Sequence, residues 1–76
     1  MLEELRQVAG VGGPASGLAN ELLVLRDQYE QQQLTLEEYQ YLVTQIAEVR
    51  AAQDLSNDEQ ACRYIVAAAK ALVMFV

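Results

Sequence analysis

Histidine and tryptophan are absent from this chain, cysteine and proline occur once each, and only five of its 76 residues are basic. Each scarcity excludes something. Without histidine the usual zinc ligand sets cannot be assembled, and with Cys62 alone no internal disulfide can form. A single thiol among Ala61, Ile65 and Val66 suits a reducing compartment and reads as a small buried hydrophobe. No base or positive group facing it marks it as reactive, since the adjacent Arg63 falls on another helix face.

Eleven acidic residues against the five basic ones leave a net charge of −6. Phosphate-backbone binding needs a basic patch, so direct contact with nucleic acid is not expected. Acidic mimicry of a nucleic acid stays open, although the carboxylates are scattered rather than gathered in one run. The N-terminal MLEELRQVAG carries Glu3 and Glu4 where a secretory signal carries positive charge, so neither export nor cleavage is expected. A chain this short buries a small fraction of its surface. With disulfides and metals excluded, oligomerisation is the remaining common source of extra stability.

What is present is helical periodicity. Leu2, Leu5, Val8 and Ala9 recur at three- and four-residue spacing, a short amphipathic arm over 1–9 that must dock or fray. All four glycines and Pro14 follow within 10–17, a linker or a close-packed turn. It lacks the preceding strand and Lys-Ser/Thr pair of a phosphate loop. Pro14 suits a first helical turn and Ser16 an N-cap. A second helix over about 18–32 then carries the stripe Leu18, Leu22, Leu25 and Tyr29, widened by Leu23 and Val24. Glu21, Arg26, Asp27 and Glu30 fall mainly on its solvated side.

The clearest local signal is Thr35-Leu36-Glu37-Glu38. Its Thr35 hydroxyl can accept from the Glu38 amide while the Glu38 carboxylate returns to the Thr35 amide, with Leu34 and Tyr39 placed as a hydrophobic staple. The second helix must end within Gln31-Gln32-Gln33, where no glycine can take a left-handed conformation cheaply. So short a loop makes the helices antiparallel neighbours. The third helix, 36–53, presents Tyr39, Leu42, Val43, Ile46 and Val49 or Arg50. Tyr29, Tyr39 and Tyr41 are expected to pack around the turn. Glu37, Glu38 and Glu48 form no metal or acid–base set, because helical geometry separates Glu48 from the other two.

The segment LRDQYEQQQLTLEEYQYLVTQI, within a stretch covering roughly 22–46, resembles the short C-terminal (SHOCT) type of helical hairpin. The likeness lies in Leu22, Leu25, Leu34, Thr35, Glu37, Glu38, Tyr39 and Leu42. Glutamine stands where a turn glycine is usual, the segment lies mid-chain, and its second helix lacks lysines. The resemblance implies an oligomerisation or docking module of the kind attached to bacterial and phage proteins, with no catalytic residues to carry over.

A second capping box is read in Ser56-Asn57-Asp58-Glu59, with Ser56 at the N-cap and Glu59 three residues on, which starts a fourth helix over 57–76. Continuation of the third helix through this stretch is the alternative. The fourth helix bears two apolar stripes: Cys62, Ile65, Ala69, Leu72 and Val76, and beside it Ala61, Tyr64, Ala68, Ala71 and Phe75. A helix apolar nearly all round is covered on more than one side. The hairpin covers one, and Tyr64, Ala68, Ala71, Leu72, Phe75 and Val76 are expected to meet a partner. The apolar run from Tyr64 to Val76 is too short to span a bilayer and is interrupted by Lys70, though shallow insertion stays open.

These readings combine into an all-α fold: a helical arm (1–9), a Gly-rich linker (10–17) and a helical domain (18–76) in which an apolar C-terminal helix packs on the hairpin. The expected role is a non-catalytic structural or assembly subunit, without cofactor or metal, joining itself or another protein through helix–helix contacts. A multi-copy component of a phage virion or similar complex fits this description, in the cytoplasm or in a particle assembled there. A small acidic inhibitor blocking a basic surface is the first alternative. A membrane-active helical protein is the second.

Overall fold

Ser16 and Leu5 show first how the chain is put together. A computed structural model describes residues 2–75, and over these it is all-α, with α1 at Leu2–Gly10 and α2 at Ser16–Glu30. The helix α3 covers 36–54, and α4 covers Glu59–Met74. Leu5, on the short arm, is fully buried and joins the same core as Leu18, Ala19 and Leu22 of α2. The arm is therefore docked, mostly on α2, and shares one core with the rest of the chain. A radius of gyration of 11.5 Å agrees with the roughly 11 Å of a folded chain of this length.

The Gly-rich segment is a turn between packed helices. Gly12 sits at φ +75°, in the left-handed region that glycine adopts without steric penalty. Ser16 does not cap α2 as its residue type suggests. Ala15 holds the N-cap position without a side-chain bond, and the Ser16 hydroxyl donates to the carbonyl of Ala9. That carbonyl lies in the last turn of α1, where it has no partner within its own helix. One hydroxyl thus ties the end of α1 to the start of α2.

The hairpin forms as its sequence dictates. The Thr35 hydroxyl accepts from the Glu38 amide at 3.1 Å, and the Glu38 carboxylate accepts from the Thr35 amide at 2.9 Å. Before it, α2 closes with the Gln33 amide donating to Gln28 and the Gln32 amide to Tyr29, the bond pair of a Schellman ending. Gln32 takes φ +63° to make this possible, a position that favours glycine. The antiparallel pairing is fixed at both ends. Tyr29 stacks on Tyr39 near the loop, with ring centroids 4.6 Å apart, and Glu21 meets Arg50 at the far end.

The helix α3 is regular over Leu36–Gln45 and Ala51–Asp54, but Ile46–Arg50 forms a π-helical turn. Simple periodicity placed Val49 or Arg50 inward. Neither is, and Leu42 of the same expected stripe is 36% exposed: the buried residues are Tyr39, Val43, Ile46 and then Ala51. Five residues separate Ile46 from Ala51, one more than an α-turn allows, and the π-turn absorbs the extra one. Burying Arg50 would cost the desolvation of a guanidinium. The wider turn instead places Ala51 inside and leaves Arg50 at the surface beside Glu21.

The second capping box is also corrected. Asp58, not Ser56, is the N-cap of α4, its carboxylate accepting from the Ala61 amide at 3.0 Å, and Glu59 is the first helical residue. Leu55 explains the choice. It directly follows α3, is buried in the core, and its carbonyl accepts from the Asp58 amide. Residues 55–58 therefore form the turn, and the helix starts only after it.

Candidate interaction surfaces

No polar or charged residue is buried among the described residues. Among the described residues no buried side-chain nitrogen or oxygen lacks a hydrogen-bond partner, and no cluster of three or more metal-binding side chains occurs. None of the described helices is long and apolar enough to cross a membrane.

The most structured polar feature surrounds Tyr39. Its ring is fully buried and its hydroxyl donates to the Leu72 carbonyl at 3.4 Å, a long bond that links the hairpin to α4. Burial pushes the Tyr39 phenol above its ordinary range. Arg26, expected on the solvated side of α2, lies instead over the tyrosine pair, 5.9 Å from the Tyr29 centroid and 6.0 Å from that of Tyr39. Glu30 holds it there at 3.3 Å. Tyr41 takes no part in this cluster and is exposed. The Tyr39 hydroxyl links the hairpin to α4, while the stacked rings, Arg26 and Glu30 brace the hairpin itself.

The terminal helix divides its two stripes differently from the expectation. Ile65, Ala69 and Leu72 enter the core, and so does Ala68 of the second stripe, which removes Leu72 and Ala68 from any partner surface. Cys62 is half-buried at the edge of the core. Tyr64 and Ala71 are half-buried along a shallow groove shared with Glu4 of α1. Burial, with Glu4 nearby, raises the Tyr64 phenol above its usual range. Among the described residues of this segment, the large apolar side chains that are exposed are Met74 and Phe75, at 75% and 72%. Val76 lies outside the described residues.

A second apolar surface, which simple periodicity missed, runs along the hairpin itself. Val24 on α2 is 48% exposed, and Leu42 and Val49 on α3 are 36% and 39% exposed. They flank a groove of about 450 Å³ between the two helices, floored by Leu25 and Ile46. Its polar end is the Glu21–Arg50 pair, a two-pronged contact with bonds of 3.0 and 2.9 Å. Asp54 accepts from the same Arg50 Nη2 at 3.2 Å. The π-turn keeps Val49 and Arg50 out of the core and so supplies one end of this groove, a departure that the apolar pattern alone does not announce.

Compared with protein-family models, with curated proteins and with solved structures, the chain matches none.

Proposed function

We propose that the chain is a non-catalytic assembly subunit that associates with further copies of itself through the open end of α4. The observation carrying this reading is the pair Met74 and Phe75, adjacent, large and about three-quarters exposed at the end of a helix otherwise packed into the core. Exposed apolar surface of this kind marks contact sites, and a small core gains stability when a neighbour covers it. The resemblance of the hairpin to an oligomerisation module supports the same reading. A component repeated many times in a large particle, such as a phage virion, is the setting in which this association serves best.

Light scattering on the eluting chain tests it, across a range of concentration and salt. Each copy carries −6, so copies repel one another and added salt screens that repulsion. The mass should rise above the 8.4 kDa monomer with concentration, and more readily at high salt. Replacing Met74→Ser and Phe75→Ser together should return it to monomer without loss of helix content, since neither side chain is in the core. A folded chain that stays monomeric at every concentration and salt overturns self-assembly.

A further inference from the structure

We propose that the self-association is two-fold: the groove between α3 and α4 of one copy lies against the same groove of a second, and Glu48 of each copy meets Lys70 of the other. This rests on the reading of Met74 and Phe75 as a contact surface and gives that contact its geometry.

The groove encloses about 310 Å³, with Ala47 on its α3 wall and Ala69, Val73 and Met74 on its α4 wall. Ala69 is fully buried and forms the floor, Ala47 and Val73 are half-buried, and Met74 is exposed. The side chain that marks the contact surface is thus one edge of an apolar groove that continues between the helices.

The charges on the two walls select the occupant. Glu48 of α3 and Lys70 of α4 both line the groove and are both exposed. Among the described residues neither belongs to an ion pair, whereas Arg26, Arg50 and Arg63 are all engaged within the chain. Arg6, the remaining base, stands on α1 and does not line the groove. A two-fold interface is self-complementary: where residue i of one copy meets j of the other, j also meets i. One open acid and one open base on opposite walls satisfy that rule, because a half-turn sets each acid against the other copy's base. Two pairs then form together. A partner of a single charge sign would match one of these groups and oppose the other. Exposed pairs of this kind add little affinity and fix register and partner instead, while covering the apolar groove drives the association.

The test measures the dissociation constant of the full chain by analytical ultracentrifugation at one low salt concentration. The parent chain should reach a plateau at twice 8.4 kDa. Glu48→Lys and Lys70→Glu each bring like charges together at both contacts, and each should weaken the dimer about tenfold. Glu48→Lys also makes the chain two units less negative than −6, so net repulsion alone predicts tighter association. Mixed in equal amounts, the two variants restore both pairs at the total charge of two parent chains. They should form a heterodimer about as tight as the parent dimer. Circular dichroism confirms that each variant keeps its helix content. Isotope-filtered NMR on mixed labelled and unlabelled parent chain reads the contact without any substitution, and should join Met74 of one copy to Ala47 or Val73 of the other. Tighter association of Glu48→Lys, variants that fail to pair on mixing, no signal between the grooves, or a parent mass that passes a dimer without a plateau would each overturn the geometry. If Met74→Ser with Phe75→Ser gives monomer while both charge variants dimerise like the parent, self-association stands and this groove is not its site. A parent chain that stays monomeric throughout overturns both.

Discussion

Gln32 occupies a left-handed position with a side chain that makes it costly. Its φ of +63° lets the amides of Gln32 and Gln33 close α2, so the conformation is held by hydrogen bonds that any residue would make there. Gln32→Gly should keep those bonds and remove the steric penalty. A stabilisation of about 1 kcal/mol is expected as a rise in the urea midpoint, reduced by the greater freedom of glycine in the unfolded chain. Tyr39 carries a different liability. Burial raises its phenol pKa in the folded chain, so the folded state keeps a proton that the unfolded chain gives up above about pH 10. The contribution is fully present below that pH and is lost as pH rises through the folded value. Tyr64 shifts in the same direction. Urea midpoints should therefore fall above about pH 10, and Tyr39→Phe should flatten part of that decline.

Within the helices, the caps separate what the chain states locally from what packing decides. Thr35→Ala should cost about 1 kcal/mol, the usual loss for a capping side chain, and Asp58→Ala about the same. Ser56→Ala should stay within about 0.5 kcal/mol, because its side chain does not cap α4. Chemical denaturation of the three variants distinguishes the two proposed starts of the helix. The Thr35–Glu38 box was legible because every bond in it lies within four residues. Ser56 and Asp58 are both good caps by type, and both lie in the turn that starts at Leu55, whose burial in the core is a tertiary event. The stripes of α4 pose the same difficulty. Both are apolar, so spacing shows that two faces exist without saying which one meets the hairpin. Tyr39 contributes to the answer by bonding to the carbonyl of Leu72. The hairpin groove was hidden for a related reason: Leu42 and Val49 fit an inward stripe, and only the five-residue step from Ile46 to Ala51 turns Val49 outward.

For the whole molecule, the decisive contact is made by its smallest element. Nine residues of α1 would not hold a helix alone, yet Leu5 is fully buried among α2 residues. Leu5→Ala should cost about 2–5 kcal/mol, enough to unfold a chain with so small a core, and thermal melting by circular dichroism will show whether α2 and α3 melt with α1. A single shared transition is expected. The π-turn bears on something else, the chain's tolerance of a change in its length. Losing one residue inside a helix normally rotates everything beyond it by about 100° and ruins the packing. Here, removing Glu48 would shorten the step from Ile46 to Ala51 to that of a regular α-turn, so Ala51 and Leu55 would stay in the core. The helix holds a spare residue, so the deletion is expected to keep a cooperative melt by circular dichroism; Val49 would then follow Ile46 by two positions, about 200° round the helix and still outward, while Arg50, three positions on, would turn toward the core side.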